Sequence, residues 1–96
     1  MLELRPNCEN CGKSLFPDST EAMICTFECT FCKDCVGNIL ENVCPNCGGN
    51  FTQRPIRPEK YRSKYPASTQ IVLKKVNFTE FENLKSKLKN VLPENR

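Results

Sequence analysis

A small α+β domain held together by metal is the fold class this chain predicts, and three observations predict it. Eight cysteines fall within the first 47 residues and are spaced as four ligand pairs. The half that carries them spans about fifty residues, too few for an apolar core to supply stability alone. Between the pairs the residues read as a short hairpin followed by one helix, and a second, amphipathic helix closes the chain.

The cysteines run Cys8-x2-Cys11, then thirteen residues, Cys25-x3-Cys29, two residues, Cys32-x2-Cys35, eight residues, Cys44-x2-Cys47. Two tetrahedral all-thiolate zinc sites use eight cysteines with none left over. Zinc binding at such a site contributes on the order of 10–16 kcal/mol of apparent free energy, so the metal takes the place of the missing core. The metal-free form of this half is expected to be largely unfolded. Iron is the alternative ion, since thiolates bind both metals.

Four disulfides in a secreted scaffold are the rival use of eight cysteines. The opening Met1-Leu-Glu-Leu-Arg-Pro lacks the apolar stretch that follows a basic start in a signal peptide. No run approaches the roughly 18 apolar residues of a membrane span. A reducing, cytoplasmic setting is therefore expected, and it favours metal over disulfide.

The formal net charge of +3 conceals two unlike halves. Residues 1–50 hold three basic and seven acidic groups, net −4, and residues 51–96 hold eleven basic and four acidic, net +7. Each Zn2+ held by four thiolates adds −2, which would bring the first half to −8 and the chain to −1. The loaded protein is expected to be a dipole, acidic at one end and basic at the other.

Three stretches follow from these patterns: a double-zinc module over 1–53, a basic Pro-containing arm over 54–70, and a short strand with an amphipathic helix over 71–96. In the module, Cys8-Glu-Asn-Cys11-Gly12 and Cys44-Pro-Asn-Cys47-Gly48 repeat the pattern C-x-N-C-G. The glycine after each turn can take positive φ, leaving backbone N–H groups free to point at sulfur. Ala22-Met23-Ile24 reads as a strand, with Thr26-Phe27-Glu28 as its returning partner. A helix is expected from Lys33 to about Glu41, its apolar stripe formed by Val36, Ile39 and Leu40, ended by Asn42 or the Pro45 turn.

The arm holds three prolines and five cations and reads as an extended segment that packs back on the module or stays solvated. Ile71-Val72-Leu73 reads as a strand. Asn77-Phe78-Thr79-Glu80 then resembles a capping box, with Val76 and Phe81 as its staple. Phe78, Phe81, Leu84, Leu88, Val91 and Leu92 continue at near-helical spacing until Pro93. This stripe covers the module's own apolar face or docks onto something else, because a helix of about fifteen residues does not persist alone.

Spacing by itself leaves the wiring of the pairs open. Sequential wiring gives Cys8, Cys11, Cys25 and Cys29 one metal and the remaining four the other. Interleaved wiring joins Cys8, Cys11, Cys32 and Cys35 in one site and Cys25, Cys29, Cys44 and Cys47 in the second. The loop of eight residues before Cys44 is short for a self-contained zinc ribbon, which leans toward interleaving.

The run Cys29-Thr-Phe31-Cys32-Lys-Asp-Cys35-Val36, followed by Ile39-Leu40 and Cys44-Pro45-x-Cys47, resembles the RING finger signature, with cysteine at Cys29 where histidine is usual. The resemblance implies a RING-like cross-brace, and hence interleaved wiring. The chain also resembles a family of short uncharacterised bacterial proteins with a RING-like, all-cysteine double-zinc pattern. The matching residues are Arg5-Pro-Asn-Cys-Glu9, Cys25-x-Phe27-Glu28-Cys29-Thr30-Phe31-Cys32 and Lys64-Tyr-Pro-Ala-Ser-Thr69. That likeness covers about residues 1–70 and implies no particular activity.

Ubiquitin ligation, the usual work of RING domains, is not carried over. Asn10 stands where Ile or Leu usually makes the contact surface, Ile39 where the central helix usually has tryptophan, and Gly48 where a basic residue usually follows the last ligand. The three-cysteine motif Cys25-x3-Cys29-x2-Cys32 also fits radical S-adenosylmethionine enzymes, but that chemistry needs a barrel of about 200 residues.

The chain has no histidine, and four thiolates per metal leave no coordination position for water or substrate. The expected function is therefore a non-catalytic zinc-binding module that recruits a partner, protein first. Nucleic acid is the alternative, through Arg54, Arg57, Lys60, Arg62 and Lys64 with Tyr61 and Tyr65 interleaved, a set that could track phosphates and stack bases. The blander account of the arm is a solvated linker whose cations meet the acidic module.

Overall fold

The strand Ala22–Ile24 (β1) stands at the centre of a three-stranded antiparallel sheet of order β2-β1-β3. One neighbour is Thr30–Cys32 (β2), with Met23 opposite Phe31; the other is Thr52–Gln53 (β3), with Ile24 opposite Thr52. The computed structural model describes all 96 residues.

The expected return strand at Thr26–Glu28 is instead the hairpin loop, and β2 begins two residues later. Sulfur chemistry explains the shift. The Phe27 N–H turns onto the Cys25 sulfur at 3.4 Å, and the Glu28 N–H closes on the Cys25 carbonyl at 3.0 Å. Glu28 has φ of 65°, a left-handed conformation that no strand residue adopts.

The helix Lys33–Cys35 (α1) follows β2 directly and widens into a π-helical turn over Val36–Leu40. Val36 and Leu40 are buried and Ile39 is half-buried, as the apolar stripe predicts. Glu41 and Asn42 end the turn with φ of 48° and 61°. Asn42 then holds the third strand in place, because its Oδ1 accepts the Phe51 N–H at 2.8 Å. Phe51 meets Phe31 edge-to-face, ring centres 5.5 Å apart, in the core with Leu15, Ala22, Val36, Leu40 and Val43.

The second helix, Phe78–Leu88 (α2), is capped by Asn77, whose Oδ1 accepts the Glu80 N–H at 3.2 Å. It ends four residues short of the expected limit at 92. Leu92 precedes Pro93 and is forced out of the helical region, to ψ of 140°. A single 3-10 turn, Pro93–Asn95, follows and brings the Arg96 guanidinium to the Asn42 carbonyl at 2.7 Å.

Of the two roles open to the apolar stripe, α2 covers its own module. Phe81 is buried in the core, and Leu84 and Leu88 pack against it. The contact is closest at Gly48, where a Cβ would lie 2.9 Å from Leu88 Cδ1. Lys85 adds contacts to Glu41 at 3.5 Å and Glu82 at 3.2 Å, which at this exposure contribute little.

The segment between β3 and α2 folds back on the module. It contains one 3-10 turn, Glu59–Tyr61. Ile71-Val72-Leu73, expected as a strand, pairs with no strand. Instead residues 68–76 run beside 4–10 in the same direction, through Ser68 N–H to Leu4 O, Lys74 N–H to Glu9 O and Val76 N–H to Asn10 Oδ1. Side-chain amides of Asn7 and Asn10 take the place of a ladder partner, which is why no sheet forms there.

Gly12 and Gly48 both hold positive φ, 81° and 76°, but only Gly48 lies under a helix. Gly12→Ala is expected to cost about 1–2 kcal/mol in backbone strain. Gly48→Ala is expected to cost at least about 1 kcal/mol more, from the clash with Leu88. Denaturant unfolding of both variants at one metal loading measures the difference.

Candidate metal centre

The two C-x-N-C-G turns fold alike, hydrogen bond for hydrogen bond. Gly12 N–H donates to Cys8 O and Cys8 N–H to Lys13 O; in the second turn Gly48 N–H donates to Cys44 O and Cys44 N–H to Gly49 O. Backbone N–H groups of Asn10 and Cys11 point at the Cys8 sulfur, and those of Asn46 and Cys47 at Cys44. Gly12 and Gly48, at positive φ, carry the chain on out of these turns.

The sulfurs of Cys8, Cys11, Cys32 and Cys35 converge within 4.8 Å of one another, so the first pair meets the third. The sulfurs of Cys25, Cys44 and Cys47 form a second group within the same limit. Helix α1 explains the first convergence: Cys32 and Cys35 stand three apart across its start and face one point. None of the eight forms a disulfide.

A tetrahedral ion bound by four thiolates at about 2.3 Å has sulfur–sulfur edges of about 3.8 Å. Two opposite edges of the first group measure 3.8 Å, Cys8 to Cys35, and 3.7 Å, Cys11 to Cys32. Donor number, donor type and spacing therefore all suit one metal ion. The second group offers three sulfurs within 4.8 Å of one another. Cys29 lies just outside it, bonded through its carbonyl to the Cys25 N–H at 3.3 Å and through its sulfur to Asn46 Nδ2 at 3.4 Å. The two groups can thus hold metal with four and three cysteines.

Asn46 has a counterpart that the repeat in sequence foreshadows. Asn10 Nδ2 donates to the Cys35 sulfur at 3.5 Å, so each knuckle asparagine reaches a cysteine supplied by another pair. In both groups one sulfur-bearing residue is exposed, Cys11 and Cys47, and the others are buried. Burial pushes the Cys35 and Cys44 thiols well up, and it raises Cys29 and Cys32 as well. At Cys8 burial also pushes upward, but the N–H groups of Cys11, Cys32 and Asn10 outweigh it and the thiol comes down.

The arm places its cations differently from the expectation. Arg54 is 1% exposed, and its guanidinium donates to the carbonyls of Arg5, Leu15 and Phe16. It is a core residue beyond a partner's reach, held there because three loop carbonyls would otherwise be buried unpaired. Arg57 donates to Tyr65 O and Leu2 O, and Arg62 to Arg57 O. Lys60, Lys64 and Tyr61 remain on the surface, with Lys60 Nζ 5.1 Å from the Tyr61 ring centre.

Sequence reading missed one further buried polar group, Glu9, and put Arg54 on the surface. Glu9 accepts from Arg5 Nη1 at 2.7 Å and from the Thr30 N–H, tying the first knuckle to β2. The only signal for it is its place inside a turn that must be held rigid. Arg54 gives no signal at all, since a cation in a basic run reads as solvated.

Residues 1–57 match the family model described as a protein of unknown function, DUF1272, which spans both cysteine groups. The chain belongs to this family. An uncharacterized protein of Rhizobium meliloti (strain 1021) is 61% identical over 74 residues, 77% of this chain and 88% of that protein. No solved structure matches the chain. No helix is long and apolar enough to cross a membrane.

Metal uptake displaces thiol protons, so the loaded form strengthens as pH rises from the acid side. Thermal unfolding of the loaded protein is expected to show a midpoint that climbs from pH 5 to neutrality, and excess chelator is expected to abolish the transition.

Arg54→Ala is expected to cost about 3 kcal/mol or more by leaving buried carbonyls unpaired. Arg54→Lys should recover only part, since one ammonium cannot span three acceptors. Denaturant unfolding at constant metal loading measures both.

Proposed function

We propose that this protein is a non-catalytic, RING-like module organised by two Zn2+ ions, acting as an adaptor that binds other proteins. Cys8, Cys11, Cys32 and Cys35 would hold one ion, and Cys25, Cys29, Cys44 and Cys47 the other. The observation that carries the reading is the meeting of the first cysteine pair with the third, around a first group whose edges suit tetrahedral zinc.

Cys29 is assigned to the second ion on the likeness of the two knuckles. Asn10 donates to a sulfur of the first group, and Asn46, at the same place in the repeat, donates to Cys29. A shift of the Cys25–Cys29 loop would complete four ligands. Bound zinc supplies cross-linking here; four thiolates per ion leave no position for substrate.

A nucleic-acid role through the arm has less support, because Arg54, Arg57 and Arg62 are engaged with backbone carbonyls. Lys60 and Lys64 alone make a small electrostatic footprint.

Elemental analysis of protein purified without added metal is expected to give two zinc per chain and no visible colour. Iron with charge-transfer bands would overturn the zinc assignment. The wiring has its own test: after cadmium substitution, NMR correlations from each metal to cysteine β-protons should link Cys29 with Cys25, Cys44 and Cys47. Links from Cys8 and Cys11 to Cys25 and Cys29 would establish the sequential arrangement instead.

A further inference from the structure

The segment that leads into α2 carries a surface feature the metal sites do not explain. Residues 68–76 lie against the first knuckle through one edge only. The Val72 carbonyl accepts Asn7 Nδ2 at 2.9 Å, and the Lys74 N–H donates to Glu9 O at 2.8 Å. In extended backbone, residues two apart present their N–H and C=O groups to the same side. Residues 72 and 74 therefore face the body of the protein, and Ile71 and Leu73 face away. No hydrogen bond within the chain uses the N–H or C=O of Ile71 or Leu73.

The side chains around this open edge are apolar. Ile71 is 73% exposed and Leu73 55%, and both line a groove of about 290 Å3 with Leu15, Phe16, Pro17 and Ala67. Phe16 is itself 68% exposed. Native proteins blunt free strand edges with charge, proline or a bulge, yet none of these interrupts Ile71-Val72-Leu73. Just beyond it stand Lys74 and Lys75, both exposed and in none of the chain's ion pairs.

We propose that the outer edge of Ile71–Leu73 and the groove beside it dock an extended segment of a partner protein that alternates apolar and acidic residues. The segment adds as a strand, pairing with the main chain of Ile71 and Leu73. Its apolar side chains pack on Ile71 and Leu73 at the rim of the groove, and its acidic residues, on the opposite face, meet Lys74. Main-chain pairing supplies affinity and the alternating side chains supply selectivity.

A second copy of this chain is a poorer occupant. It would bring four lysines into one short ribbon. Three exposed apolar residues per copy also fall far below the roughly 800 Å2 per partner of a stable interface.

This inference rests on the adaptor reading and names the class of partner. Its test is amide-resolved NMR of the zinc-loaded full chain, titrated with a capped synthetic hexapeptide alternating isoleucine and glutamate. The amides of Ile71 and Leu73 are expected to shift and become protected from hydrogen exchange, while that of Val72, on the inner side, does not become protected. The same peptide N-methylated on its alternate pairing amides should fail to bind. Leu73→Lys should weaken binding about tenfold, the loss expected for one buried apolar side chain. Ile71→Lys is a second variant at an exposed position.

Silence of both amides at millimolar peptide overturns the proposal, as does equal binding of the N-methylated peptide. Protection of the same amides without peptide, growing with protein concentration, overturns it in favour of a second copy. With zinc at two per chain, any of these outcomes removes the docking edge and leaves the zinc module standing. A chain without zinc fails the underlying reading before the titration begins.

Discussion

Everything in this chain depends on bringing sulfur atoms from distant pairs to common points. Six of the fifteen buried apolar residues are cysteines, so the core is in large part the two cysteine groups themselves. A few aliphatic and aromatic side chains, Phe31 and Phe51 foremost, fill the space between the two groups. The sheet and the first helix are short because their task is local. β2 runs straight into α1 so that Cys32 and Cys35 meet the first knuckle, and Asn42 fixes the entry to β3.

Polar side chains carry much of the remaining order, and each answers a backbone group that the short elements leave open. Arg54 gathers three carbonyls of the N-terminal loops, and Glu9 takes the Thr30 N–H beside the Arg5 guanidinium. Asn10 reaches both the Cys35 sulfur and the Val76 N–H, which ties the start of α2 to the first sulfur group. At the other end, Leu88 sits on Gly48 and Arg96 reaches Asn42, beside the second group. The C-terminal segment therefore belongs to the same folding unit, although the family match ends at residue 57.

The division of surfaces follows from this arrangement. The face beneath α2 is covered in cis, and most cations of the arm are bound to carbonyls. Among the surfaces that stay open are the apolar edge near the first knuckle and the Lys-Tyr surface around Tyr61, while Phe27, Phe78 and Leu92 are exposed elsewhere. The proposed adaptor role looks to such an edge and not to a cleft.

The cysteine spacing, the glycine after each knuckle, the helix after Cys32 and the cap at Asn77 were all legible in the residues, because each is a local requirement of bond geometry or backbone conformation. The placement of the return strand was not, since the Cys25 sulfur captures the Phe27 N–H and moves the pairing on to Thr30. Nor was the end of α2, where steric conflict ahead of Pro93 competes with an unbroken apolar pattern. Residue spacing alone pointed to a gathering of cysteines and to the turns that do it. The meeting of the first pair with the third, the burial of Arg54 and the lie of α2 over its own module emerge only in the folded chain. Those outcomes depend on contacts between residues tens of positions apart, and no local pattern encodes which distant carbonyl or sulfur a side chain will find.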